Sequence, residues 1–209
     1  PLFGGIDVLE SVVVTWIIMA VMMAGSLLLV HGLKVRQINN KQAALESGLS
    51  FIYDFFEGLL GKDGRDYIPY LITVVLYIGI ANMIGLFGFK SPTKDLNVTV
   101  SLAVMSIVLV EAAGIRKKGV KGWVKSFAEP IAIIAPINVL ELFIRPLSLC
   151  MRLFGNVLGA IVVMALIKHL LPLIVPLPFC FYFDIFDGVI QAYVFVFLTS
   201  LYIKEAIED

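Results

Sequence analysis

From residue 137 to about residue 170 the chain runs with Pro146 as its one proline, and Arg152 stands near the middle of that run. At 1.5 Å per residue, about 34 helical residues reach roughly 50 Å, against a hydrocarbon core of about 30 Å. A helix of that length does not stand upright in a bilayer, so the run predicts a strongly tilted one. Arg152 narrows the reading further. An arginine at membrane depth costs about 2.5–3.5 kcal/mol on insertion scales, which makes it a functional hypothesis by default. At helical spacing Glu141, Arg145, Ser148, Arg152, Asn156 and Gly159 share one face, a single polar stripe on an otherwise apolar helix.

The rest of the chain is as apolar as this run. Of its 209 residues 60% are hydrophobic and 15% charged, and the mean hydropathy is +0.97, values that belong to a membrane protein. The expected fold is an all-α integral membrane protein in one domain, with five spanning helices and one interfacial amphipathic helix. The spans are residues 10–33, 67–89 and 96–115, followed by two long helices, 137–170 and 178–207. These last two form a strongly tilted antiparallel hairpin, closed by a turn around Pro172, Pro176 and Pro178. Residues 41–61 differ: Leu45, Leu49, Ile52, Phe55, Phe56 and Leu59 make an apolar stripe, while Glu46, Asp54 and Glu57 lie elsewhere on the wheel. That pattern predicts a helix lying along the membrane. Pro130 and Pro136 break the segment before the first long helix.

Charge position sets the expected orientation. Residues 116–125 hold five lysines or arginines and no acid, which makes this loop cytoplasmic by the positive-inside rule. Lys34, Arg36 and the 62–66 turn then also fall inside and the 90–95 loop outside. The assignment puts eleven basic residues inside and three outside, with Arg145 and Arg152 within a span. The N-terminus is outside and the C-terminus cytoplasmic, in a multi-pass protein of the cell's inner or plasma membrane. Sixteen basic and sixteen acidic residues cancel, leaving the lipid bilayer as the expected environment and no field for nucleic acid.

The second long helix carries its own stripe, Asp184, Asp187, Gly188 and Gln191, at i, i+3, i+4, i+7. Guanidinium stays charged at any reachable pH, whereas Asp184, Asp187, Glu141 and Glu111 can load and unload protons. Acids lining wet intramembrane paths, divided by a fixed cation, are what an ion relay needs. The plainer alternatives are that Arg152 pairs with Asp184 or Glu141 to fix helix register, that Asn82 bonds a neighbouring helix, and that Glu111 reaches toward the interface. No HExxH, GxSxG, P-loop or Cys/His metal spacing is present, Cys150 and Cys180 lie in apolar runs, and no cofactor is expected. An autonomous ion channel or small secondary transporter is the alternative class, although no internal repeat of the transporter kind is visible.

The segment RPLSLCMRLFGN, followed by IQAYVFVFLTSLYI on the next helix, resembles subunit a of the F-type ATP synthases. The similarity extends over most of the chain, including DLNVTVSLAV at residues 95–104. The resemblance implies a non-catalytic stator subunit whose tilted helices wrap a rotating ring. Two offset aqueous half-channels would carry H⁺, or in some members Na⁺, to and from the carboxylate of the c-ring. It implies as partners the c-ring subunits, the peripheral-stalk b subunits and the rest of the F1Fo complex. Arg152 matches the family's essential arginine, Asn156 and Gln191 polar partners near it, and Arg145 a basic position often filled by lysine, with Ser148 on the same face. Asp95, Asn97 and Asn82 resemble polar positions that line the path from outside. One departure stands out: many relatives place an ionisable residue where this chain has Ile161, which leaves the outer half-channel to Asp184, with Asp187 as a second candidate.

Overall fold

A backbone surrounded by lipid has no water to bond to, so an apolar run satisfies its N–H and C=O groups within itself by winding into a helix. The computed structural model describes residues 10–31, 40–87, 91–126, 135–170 and 176–208, and every regular element among them is helical. In chain order these are α1 (Glu10–Val30), α2 (Asn40–Leu60), α3 (Ile68–Met83), α4 (Leu96–Ser126), α5 (Ala135–Leu170), α6 (Pro176–Phe181) and α7 (Gly188–Ile207). Short 3₁₀ turns join several of them, and a π-helical turn, Tyr182–Asp187, runs directly from α6 into α7. Among the described residues, five helical stretches are long and apolar enough to cross a membrane, and α2 is not one of them. The chain is an all-α, multi-pass membrane protein.

The bounds differ from the sequence expectation where chain chemistry intervenes. The second span ends at Met83 and tightens into a 3₁₀ turn, Ile84–Phe87. Pro136 sits in the first turn of α5, where its missing N–H costs nothing, so the helix begins at Ala135 rather than after the proline. Pro176 and Pro178 likewise occupy the first turn of α6 instead of a loop. Lys34, Arg36, Lys90, Pro130 and Pro172 lie outside the described residues.

α3, α4 and α7 form the centre. Leu71, Ile78 and Ala81 of α3, Ala103, Ile107 and Val110 of α4, and Phe195, Val196 and Ile203 of α7 are all buried. Small and hydroxyl side chains let these helices approach: Thr99, Ser106, Thr199 and Ser200 are buried, and the Ser106 hydroxyl bonds the Tyr70 hydroxyl at 3.0 Å. Thr199 donates to its own helix at Phe195 O, 2.9 Å, which hides its polarity. α1 buries Val14 and Ile18 in the core, packs Met22 against it, and touches α3 through Thr15 Oγ1 and Tyr77 Oη, 3.1 Å apart. α2 lies against α7, with the Phe55 and Tyr193 rings 6.0 Å apart, and buries Phe56 and Leu60 while Leu49 and Phe51 stay exposed. α5 packs chiefly on α4 rather than on α7, through Leu149, Cys150 and Leu153.

Two ion pairs, Lys117 Nζ to Asp63 Oδ2 at 2.6 Å and Arg116 to Asp66 at 3.7 Å, tie the basic end of α4 to the 3₁₀ turn before α3. Both segments therefore lie at the same end of the bundle. α3 and α7 approach closely at Gly188, where an added Cβ would stand 2.9 Å from Asn82 Cβ. Gly188→Val is expected to push α3 and α7 apart and cost about 1–3 kcal/mol, lowering the thermal inactivation temperature of the purified protein in detergent. Gly79→Ala on α3, where nothing lies within 4 Å, is the control and should leave that temperature unchanged or slightly higher.

Candidate functional site

α5 is held by one face only. Leu149, Cys150 and Leu153 are buried, and Cys150 Sγ lies 3.5 Å from Thr99 Oγ1 of α4. The opposite side presents Leu147, Met151 and Leu158 outward, and the polar stripe runs along its edge: Ser148 is half-buried, Arg152, Asn156 and Gly159 are exposed. Among the described residues no side chain hydrogen-bonds or ion-pairs with Arg152. A fixed cation thus stands on an apolar, outward face.

Two cavities lie on either side of it along α5. One, of about 290 Å³, is lined by Glu111, Lys118 and Trp123 of α4, Asn138, Glu141 and Arg145 of α5, and Glu205 of α7. Arg145 is its central cation: the guanidinium donates to Glu141 Oε2 at 2.8 Å and to Glu205 Oε1 at 2.6 Å, and lies 5.0 Å above the Tyr202 ring. It therefore fastens the start of α5 to the end of α7. Glu111, expected to reach toward the interface, instead accepts the indole N–H of Trp123 at 2.7 Å.

The other cavity, of about 340 Å³, lies toward the far end of α5 and is lined there by Val157, Ala160, Ile161, Met164, Ala165 and Lys168. Asn82, Ser91, Thr93, Lys94, Asp187 and Gln191 face it from α3, the 91–94 turn, the end of the π-helical turn and the start of α7. Asn82 is fully engaged. Its amide donates to Gly188 O at 3.0 Å and accepts from the Thr93 hydroxyl at 2.7 Å, while Ser91 donates to Ala81 O at 2.6 Å. This network joins α3 to Gly188, the first residue of α7, directly after Asp187 at the end of the π-helical turn. Asp184 belongs to the same turn, and its side chain lies outside the described residues.

Because α5 meets one cavity through residues 138–145 and the other through 157–168, whereas α7 meets them in reverse order, the two helices run antiparallel. Arg152 falls between, about 10 Å along the axis from Arg145 and about 7 Å from Val157. Asp95 and Asn97 stand apart from the second cavity's lining. Asp95 caps α4, accepting the Asn97 backbone N–H at 3.0 Å, and takes the Ser11 hydroxyl of α1 on its other oxygen. The contributions of Glu205, Ser91, Thr93 and Trp123 were not singled out from sequence. Glu205 had a usable signal, an acid at the end of a helix predicted antiparallel to one carrying Arg145.

Residues 12–204 match the family model described as ATP synthase A chain. The chain is 38% identical to ATP synthase subunit a of Moorella thermoacetica over 96% of this chain and 91% of that protein. It is 34% identical to the ATP synthase subunit a, sodium ion specific, of Propionigenium modestum, over 98% of this chain and 76% of that one. A third relative, ATP synthase subunit a 2 of Bradyrhizobium sp., is 32% identical over 98% and 91%.

The double bridge of Arg145 yields a test. Its side chain is 20% exposed and its partners more so, which limits the worth of each pair to about 0.5–1 kcal/mol. Arg145→Met, which leaves Glu141 and Glu205 facing each other, is expected to loosen the α5–α7 junction and speed limited proteolysis near residue 205. Arg145→Lys should recover most of the protection.

Proposed function

The chain belongs to the ATP synthase A chain family, and on that premise we propose that it is the non-catalytic stator subunit of the membrane sector of a rotary ATP synthase. In this reading it carries H⁺ or Na⁺ between the two sides of the membrane and the carboxylates of a rotating c-ring. The single observation that supports it best is the placement of Arg152. It is exposed on an apolar face, without an anionic partner among the described residues, between two cavities that each hold at least one carboxylate.

An unpaired guanidinium facing lipid costs about 2.5–3.5 kcal/mol, and a carboxylate brought against that face relieves the cost. A ring of carboxylates passing the α5 face supplies that partner repeatedly. Each arriving carboxylate is held ionised by Arg152 and releases its ion, and the guanidinium, unable to lose its proton, carries nothing across itself. The cavity at Glu141 and Arg145 serves as the inner half-channel. The cavity at Asp187 and Gln191 serves as the outer one, with Asp184 contributing from the π-helical turn and Asn82 lining the wall. Asn156 and Ser148 flank Arg152 on the face toward the ring. Asp95 and Asn97, at the start of α4, stand near the outer surface. The membrane potential drives the transfer with about 2.3 kcal/mol per charge per 100 mV.

The positive end of α4 and the turn bound to it face the cytoplasm, so the C-terminus is cytoplasmic and the N-terminus outside, in the cell's plasma membrane. The peripheral-stalk b subunits hold the chain still against the ring.

In the assembled complex, Arg152→Ala is expected to reduce ATP synthesis and ATP-driven pumping to background while the subunits still co-purify; normal coupled synthesis would sink the assignment. Asp184→Asn should slow ion flux strongly without loss of assembly, and unchanged flux returns that residue to a structural role. Reconstituted alone, the chain should show no selective, saturable transport, because half of the path is on the ring.

A further inference from the structure

The inner cavity holds three carboxylates, and they are not equivalent. Glu141 and Glu205 are exposed and both bonded to Arg145, so either must break a charged hydrogen bond before it can take an ion. Glu111 is the least exposed of the three, and its partner at 2.7 Å is the neutral N–H of Trp123. That contact depends on a turn within α4. Gly119 has φ 72° and ψ 162°, a left-handed backbone that glycine adopts without penalty, and it redirects the helix end so that Trp123 returns over Glu111. The indole packs over Gly114, where a Cβ would stand in ordinary contact, 3.4 Å from Trp123 Cδ1. The charged and titratable groups facing the same cavity are Lys118 from α4, Glu141 and Arg145 from α5, and Glu205 from α7.

We propose that Glu111 is the carboxylate through which the inner cavity exchanges the coupling ion with the cytoplasm, and that Trp123 is its positioning residue. The proposal rests on the inner half-channel assigned above. A carboxylate bonded to a neutral donor keeps acceptor capacity on its second oxygen and has no counter-ion to displace, so it can bind and release a cation without rearranging the α5–α7 junction.

The test uses membrane vesicles carrying the whole complex, assayed for ATP-driven pumping and, after removal of the catalytic sector, for passive ion flux. Glu111→Gln is expected to lower both by about 100-fold at unchanged complex yield, the lower end of what a single proton-transferring group contributes. Glu111→Asp should recover part of the loss, and the flux of Glu111→Ala should rise on adding formate, a small carboxylate able to enter the cavity. Trp123→Phe keeps an aromatic ring and removes the N–H. It should give a smaller fall that disappears in the Glu111→Gln background. Wild-type flux in Glu111→Gln, or a loss in Glu111→Ala that formate leaves unchanged, overturns the proposal. If the Glu111 variants do not assemble, Trp123→Phe decides, with reduced flux supporting it and wild-type flux overturning it. Arg152→Ala in the same vesicles separates the two levels: coupling preserved there removes the stator reading, whereas coupling lost there beside a neutral Glu111→Gln removes only the role of Glu111.

Discussion

A guanidinium that cannot shed its proton, carried on the outward face of a helix in lipid, sets the demands that the rest of the structure meets. The helix bearing it must be fixed in position yet leave that face uncovered. α5 satisfies both by resting on α4 through a narrow strip, Leu149, Cys150 and Leu153, and by pinning its start to α7 through Arg145 and Glu205. Its outward side, Leu147, Met151 and Leu158, stays exposed. The position of Arg152 is therefore set by α4, and α4 by the bundle behind it.

That bundle is assembled by close approach rather than by escape from water, since lipid tails are as apolar as leucine. Ala81, Ala103, Ala113, Gly114 and Gly188 sit where helices meet, and buried hydroxyls such as Thr99, Ser106, Thr199 and Ser200 bond to their own helix or across to a neighbour. Asn82 is the most expensive member, a buried amide, and its cost is offset by a bond to Gly188 O and another from Thr93. The same residue that closes α3 onto α7 thus also aims the turn that carries Asp184 and Asp187. Packing and site are one construction at that point.

Hydropathy averaged over about 20 residues reports partition between water and lipid, which is why the five crossing helices and the separate character of α2 were legible in sequence. The α5 stripe was legible because a period near 3.6 needs no partner to be seen. What periodicity does not carry is which helix lies beside which. The long helices were expected to pair with each other, whereas α5 settles on α4 and leaves cavities between itself and α7. Gly119 reads in sequence as one glycine among several, and only its φ of 72° explains how Trp123 returns to Glu111. The prolines at 176 and 178 read as breakers but occupy a helix start, because a missing N–H is harmless in the first turn. Asp95 resembled a path-lining residue, yet an aspartate immediately before a helix is equally a cap, and both its oxygens are engaged there and on Ser11.

The two cavities draw on α5 differently, and the difference bears on Ile161. Toward the start of the helix α5 supplies Asn138, Glu141 and Arg145 to the first cavity. Beyond Arg152 it supplies Val157, Ala160, Ile161, Met164 and Ala165 to the second, with Lys168 as its only charged residue there. The polar groups of that second cavity come instead from α3, the 91–94 turn, the end of the π-helical turn and α7: Asn82, Ser91, Thr93, Asp187 and Gln191. A hydrated cation near an apolar wall gains nothing from it and follows the wall that offers acceptors. In the outer half-channel proposed above, an ion would follow the acceptors of α3 and α7, and the polar groups that α5 would offer it are Lys168, Asn156 and Arg152. The absence of an ionisable residue at 161 is matched by acceptors on the facing helices, and Arg152 stands where the polar wall changes sides.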